Sequence, residues 1–170
     1  MRQFGLLHVR SSELCAKKTL TLSKLLTLKN CMELDKSGIA LGDTTDDKKQ
    51  RKEFVIAFYS QWIAVNTTKQ IFNKSLNDFI NVRFLSLQET AGHASHTYKS
   101  TVAVTYLTEI LENAKYVITV KPKSENKNQQ RFSEMIVMQH SKKVFGEIKL
   151  TVGVLKGSRQ KVQYCITAIE

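Results

Sequence analysis

His93 and His96 stand three residues apart in GHASHTYKST, followed directly by Lys99, Ser100 and Thr101. Imidazole is the side chain that takes up and returns a proton near neutral pH. A lysine can hold positive charge against a phosphate or a developing oxyanion, and a hydroxyl can add a short hydrogen bond. Together these residue types suit proton transfer at a charged oxygen. If the stretch is helical the two imidazoles share roughly one face; if it is a loop, Gly92, Ala94 and Ser95 let a ligand come close to the backbone. The plainer alternative is an exposed polar loop whose histidines only bond to their neighbours.

A metal needs a third ligand besides the two imidazoles. Glu89, four residues before His93, is available, but HxxH lacks the HExxH spacing that sets a base beside zinc. We therefore expect neither metal nor cofactor. His8 and His140 are isolated and read as structural. The chain has no GxxxxGK[ST] and no GxGxxG, which disfavours nucleotide-driven and dinucleotide chemistry. Its 15 carboxylates are scattered, without the pair that sugar hydrolysis uses. Cys15, Cys31 and Cys165, an odd number with no CxxC, read as reduced thiols, and Cys165 within VQYCITAI reads as a small buried hydrophobe.

A second cationic group lies in KPKSENKNQQR: Lys121, Lys123, Lys127 and Arg131, with Arg159 and Lys161 before the last apolar run. The formal charge of +11 is uneven, since residues 115–170 hold eleven Lys and Arg against four Glu. Such a surface attracts polyanions, although lysines also serve simply to keep a small protein soluble.

These groups need elements to hold them. At 170 residues with 42% apolar content the chain can bury a core of about one domain. No apolar run approaches bilayer length and the N-terminus lacks a secretory core, so a cytosolic setting without membrane association is expected. LTLSKLLTLKNCMEL reads as strand or helix, and DKSGIALGDTTDDKK as a connection whose Asp46 or Asp47 caps a helix over about 49–65. That helix is written by Phe54, Ala57, Phe58, Trp62 and Val65, with Tyr59 also read as core. Ile71 with Phe72, and Phe79 through Leu85, flank turn formers and suggest a hairpin. Residues 87–101 form the least core-like stretch. Ala103, Leu107, Ile110 or Leu111, and Ala114 then predict a helix over 101–114.

From there the period changes to two. KYVITV, ended by Pro122, then FSEMIVMQ, GEIKLTVGVL and VQYCITAI are strands, and the short links between the last three make them antiparallel. The link KPKSENKNQQR is a solvated loop, flexible or ordered on binding. Ile148, Leu150, Val152 and Val154 are expected to face inward, as are Val162, Tyr164, Ile166 and Ala168. The fold class is α+β: N-terminal helices, then a helix packed on a four- or five-stranded antiparallel sheet. Residues 1–68 would be a helical or mixed elaboration and 69–170 the main domain.

HASHTYKSTVAVTYLTEILENAKYV, a polar stretch, GEIKLTVGVLKG and KVQYCITAIE, with IFNKSLNDFINVRF upstream, resemble the barnase, EndoU, colicin and RelE-like nuclease superfamily, above all its phage-associated and large-polyvalent-protein-associated members. The resemblance spans about residues 69–170. It implies metal-independent RNA cleavage by attack of a ribose 2′-hydroxyl on the adjacent phosphate. His93 or His96 matches the family's His-bearing element, Lys99 and Ser100 would steady the phosphate, and Arg131, Thr151 and Tyr164 would support it. The cations at 121–131, 159 and 161 would then hold RNA, and a toxin setting would bring a neutralising protein partner. A barnase-type Glu and His pair with a following Arg is not evident. The alternative is a catalytically inactive nucleic-acid or protein-binding module from a phage or mobile element.

Overall fold

The computed structural model describes residues 38–169. The expectations for 20–34, for His8, and for Cys15 and Cys31 lie outside the described residues. In chain order the elements are α1 (Thr45–Val65), β1 (Gln70–Asn73), β2 (Asp78–Asn81), α2 (Phe84–Ala94), α3 (Tyr98–Val104), α4 (Leu107–Asn113), β3 (Lys115–Val120), β4 (Phe132–Lys142), β5 (Gly146–Leu155) and β6 (Lys161–Ala168). The α+β class is as expected.

Helix α1 begins earlier than the expected residue 49 because Thr44 and Asp47 form a reciprocal cap. The Asp47 N–H donates to Thr44 Oγ1 at 3.1 Å, and the Thr44 N–H donates to the Asp47 carboxylate at 3.0 Å. Its buried face is Arg51, Val55, Phe58, Tyr59 and Trp62. Ala57 and Val65, expected in the core, are exposed. The real stripe is displaced because a buried arginine, invisible to a hydrophobic pattern, occupies its N-terminal end. The expected boundary at residue 68 falls between α1 and β1; across it Trp62 Nε1 donates to Thr108 Oγ1 at 2.8 Å, and Tyr59 donates to Gln163 on β6 at 2.9 Å.

The sheet has six strands in the order β1-β2-β6-β5-β4-β3, not four or five. It is mixed, because β2 runs parallel to β6 through Ile80 opposite Lys161 and Asn81 opposite Val162, while every other pair is antiparallel. Three helices and three strands separate β2 from β6. A connection of that length permits a parallel return, which the short links after β4 and β5 do not. Gly146, at φ +78°, turns β4 into β5.

One face of β5, carrying Ile148, Leu150 and Val152, is fully buried with Leu107, Ile110 and Leu111 of α4. The opposite face is covered too at its far end. Phe132 lies on Gly153 so closely that a Cβ there would stand 2.5 Å from the ring, and Phe132 packs edge-on against Tyr164. Leu85, Met135, Val162 and Cys165 complete this second cluster. The simple alternation expected for β6 therefore fails: Val162 through Ile166 are all buried, across a register shift between Thr151 and Val152.

Two further expectations change. The helix over 101–114 is two short helices, α3 and α4. At the break the N–H groups of Thr105 and Tyr106 reach only three residues back, and the Thr105 hydroxyl bonds to the Val102 carbonyl. The polar stretch before it is mostly helix α2, whose Thr90, Ala91, Ala94 and following Ser95 are buried. No helix among the described residues is long and apolar enough to cross a membrane.

Candidate functional site

Helix α2 presents two rows at i, i+4 spacing. Ser86 and Thr90 form one. The Ser86 hydroxyl donates to the Gln163 carbonyl at 2.6 Å and accepts the Arg83 N–H at 2.9 Å, and Gln163 Nε2 donates to Thr90 Oγ1 at 2.6 Å. This row locks α2 to β6. The second row is Leu85, Glu89 and His93. Leu85 enters the second apolar cluster, which leaves Glu89 and His93 beyond its edge.

Glu89 is a collecting point. His93 Nε2 lies 3.6 Å from one carboxylate oxygen, and Asn128 Nδ2 donates to the other at 2.6 Å. The Tyr164 hydroxyl accepts from Asn126 Nδ2 at 3.1 Å and lies near enough to the same carboxylate to feel it. Burial, reinforced by the Glu89 hydrogen bond and charge, pushes the Tyr164 phenol up to about 12, so it stays protonated at neutral pH. The Glu89 side chain is 10% exposed and that of His93 is 50% exposed. A shielded carboxylate thus stands close to one ring nitrogen of a half-exposed imidazole, at a separation longer than a hydrogen bond.

Beside this hub, Thr151 sits opposite Cys165 across the β5–β6 ladder, and Lys149 opposite Thr167. Burial pushes the Cys165 thiol up to about 11, while the hydrogen bond from Thr151 and the charge of Lys149 act against that rise. Such a thiol is no nucleophile at neutral pH.

Helix α2 ends at a turn fixed from α1. Arg51 is wholly buried, and its guanidinium donates to the carbonyls of Ser95 at 2.8 Å, His96 at 3.2 Å and Ala40 at 2.9 Å, and to that of Gly42. His96 and Lys99 are exposed on this turn and on the start of α3. Ser100 is buried; its Oγ accepts from Thr97 Oγ1 at 2.8 Å and from the Ala168 N–H at 2.7 Å, so it ties α3 to the end of β6.

The loop after β3 is pinned rather than free. Gln129 accepts the Lys123 N–H at 2.8 Å, in addition to the Asn126 and Asn128 bonds above. Lys121, Lys123, Lys127 and Arg131 are exposed on it. The two remaining predicted cations are engaged elsewhere: Arg159 with Glu134 at 3.6 Å, and Lys161 with Asp78 on β2. The structure therefore joins His93 to Tyr164 and to the basic loop, while Ser100, Arg159 and Lys161 sit in other contacts. Sequence reasoning weighed Glu89 only as a metal ligand; its i, i+4 spacing to His93 was the signal for a pair. Asn126 and Asn128, lost among loop residues, carried none. Among the described residues no three His, Cys, Asp or Glu side chains converge to hold a metal.

No curated protein and no solved structure matches the chain. A family model does, over residues 45–159, from the first turn of α1 through Glu89, His93 and the basic loop to the turn before β6. Its description names an association with large polyvalent proteins and no activity. Matched over well more than half its length, the chain belongs to the large polyvalent protein-associated domain 3 family.

Proposed function

We propose that this domain is a metal-independent endoribonuclease of the barnase/RelE-like kind, driving a ribose 2′-hydroxyl onto the adjacent phosphate. The new bond is 2′-O to phosphorus and the bond that breaks is phosphorus to O5′, leaving a 2′,3′-cyclic phosphate and a 5′-hydroxyl. His93 takes the 2′-OH proton through its solvent-facing nitrogen, and His96 delivers one to the leaving oxygen. Lys99 faces the charge that builds on the phosphate oxygens. Glu89 acts through His93 as a positioning residue, Tyr164 and Thr151 support that side of the hub, and Ser100 serves by seating α3. Lys121, Lys123, Lys127 and Arg131 hold the RNA backbone, and Arg159 and Lys161 extend the positive surface. A toxin setting with a neutralising protein partner suits such an activity.

The observation that carries this reading is the Glu89–His93 contact within a hub that also binds the basic loop. The test is cleavage of single-stranded RNA in excess chelator. His93→Ala and His96→Ala should each lose at least about tenfold in rate, a conservative floor beside the roughly 100- to 10,000-fold that one positioned acid or base contributes. Glu89→Gln should lower kcat at unchanged KM and unchanged melting temperature. Equal cleavage by wild type and the double histidine variant would falsify the assignment.

The exposed loop cations, none of them in an ion pair among the described residues, favour one second reading, an inactive nucleic-acid-binding module. It would show salt-sensitive association without product.

A further inference from the structure

Next to the hub, on the far side of Asn128, lies a pocket of about 400 Å3. That is within the roughly 300–1,000 Å3 range of small-molecule sites. Its rim is Arg83, Phe84, Gln88, Asn128 and Arg131, and Phe132 of the second apolar cluster forms part of its floor. Phe84 is 69% exposed although it is a large apolar side chain at the first position of α2. Folding does not explain it. Two arginines flank it, neither of them paired with a carboxylate among the described residues; Arg83 reaches only the amide oxygen of Gln160.

An aromatic face, planar guanidinium groups and amides around an apolar floor are the features that receive an unstacked base. The ring and the guanidinium planes stack on it, and amides read its edge. Asn128 lines the pocket and donates to Glu89, while Gln88 is the neighbour of Glu89 on α2, so the pocket and the hub share a wall. We propose that this pocket is a base subsite for single-stranded RNA, holding the base of a nucleotide flanking the scissile phosphate. The proposal rests on the RNA reading above for its ligand, and it adds that cleavage depends on a base, not only on a backbone.

The full-length chain carrying His93→Ala, which slows turnover, is titrated into a short single-stranded RNA containing one 2-aminopurine, followed by fluorescence and anisotropy. Stacking on Phe84 and Arg131 should quench the fluorophore on binding. Phe84→Ala and Arg131→Ala should each remove most of the quenching and weaken binding about tenfold, the worth of one stacked base. Gln88→Trp, which fills the mouth from an exposed position, should do the same. Lys52→Ala, a charge removed from the exposed side of α1, should leave both signals unchanged. Binding without quenching, or quenching indifferent to Phe84, Arg131 and Gln88, overturns the subsite and leaves the cleavage reading standing. The expected quenching with no cleavage by wild type supports the subsite and removes the nuclease. Absence of any RNA binding removes both.

Discussion

Tyr164 combines a ring that is 2% exposed with a hydroxyl that must be satisfied at the edge of the hub. Asn126 donates to that hydroxyl, and the Glu89 carboxylate lies close to it. Burial disfavours the ionised phenol, and the neighbouring Glu89 carboxylate adds to that, so its pKa stands at about 12 rather than at its ordinary 10.0. The consequence for stability has a definite sign. The folded state keeps the proton that the unfolded chain begins to release near pH 10, so this contribution is intact below pH 10 and drains away as pH rises through about 12. Urea midpoints at pH 9 and pH 11 should therefore differ more for wild type than for Tyr164→Phe, which has no proton to lose. Equal alkaline losses in the two proteins would mean that the hydroxyl is open to solvent rather than shielded.

At the scale of elements, the turn bearing His96 depends on a residue of another helix. Arg51 brings four carbonyls from two segments to one buried guanidinium, and no other donor replaces it there. Arg51→Met keeps the bulk but leaves those acceptors unsatisfied; with a cost of roughly 1–3 kcal/mol for a buried orphan, a loss of about 3 kcal/mol in denaturant unfolding is expected. Arg51→Lys should recover little of it, since an ammonium cannot reproduce the planar fork. Recovery to near wild-type stability in the lysine variant would show that charge, not the fork, holds the turn. This contact also explains what could be read in advance. Strand β5 was legible because Ile148, Leu150 and Val152 are buried in alternation with more exposed neighbours, whereas β3, exposed along its whole length, showed only in its β-branched composition. Ala103, Leu107, Ile110, Leu111 and Ala114 are buried as their spacing indicated, even though Thr105 splits the helix. Helix α2 was not legible, because its buried face mixes Leu85, Ala91 and Ala94 with Ser86 and Thr90, and the residue of β6 that satisfies those two hydroxyls, Gln163, lies more than seventy residues away. The β2–β6 pairing escaped for the same reason. His93, Tyr164 and the loop were singled out by residue type, whereas Glu89 and Arg51 acquire their roles only when distant elements meet.

For the molecule as a whole, the uneven charge lets a steering effect be separated from a local one. Residues 115–170 carry most of the net charge, and within them Lys121, Lys123 and Lys127 are exposed on a loop pinned to the hub through Asn126 and Asn128. Because the side chains of those three lysines take no part in the pinning, to which Lys123 contributes only its backbone, removing them changes charge without releasing the loop. Each cation that neutralises a phosphate of a single strand contributes about 0.7 to the slope of log K against log salt concentration. The triple alanine variant should therefore bind RNA with a slope shallower by about 2, uniformly across sequences, at an unchanged melting temperature. Asn128→Ala should act the other way: it keeps every cation, so the slope stays, but it frees the loop from Glu89 and lowers cleavage. If the triple variant keeps the wild-type slope, the phosphates lie along some other surface of the chain, and a loop that merely orders itself near Glu89 has no part in holding them.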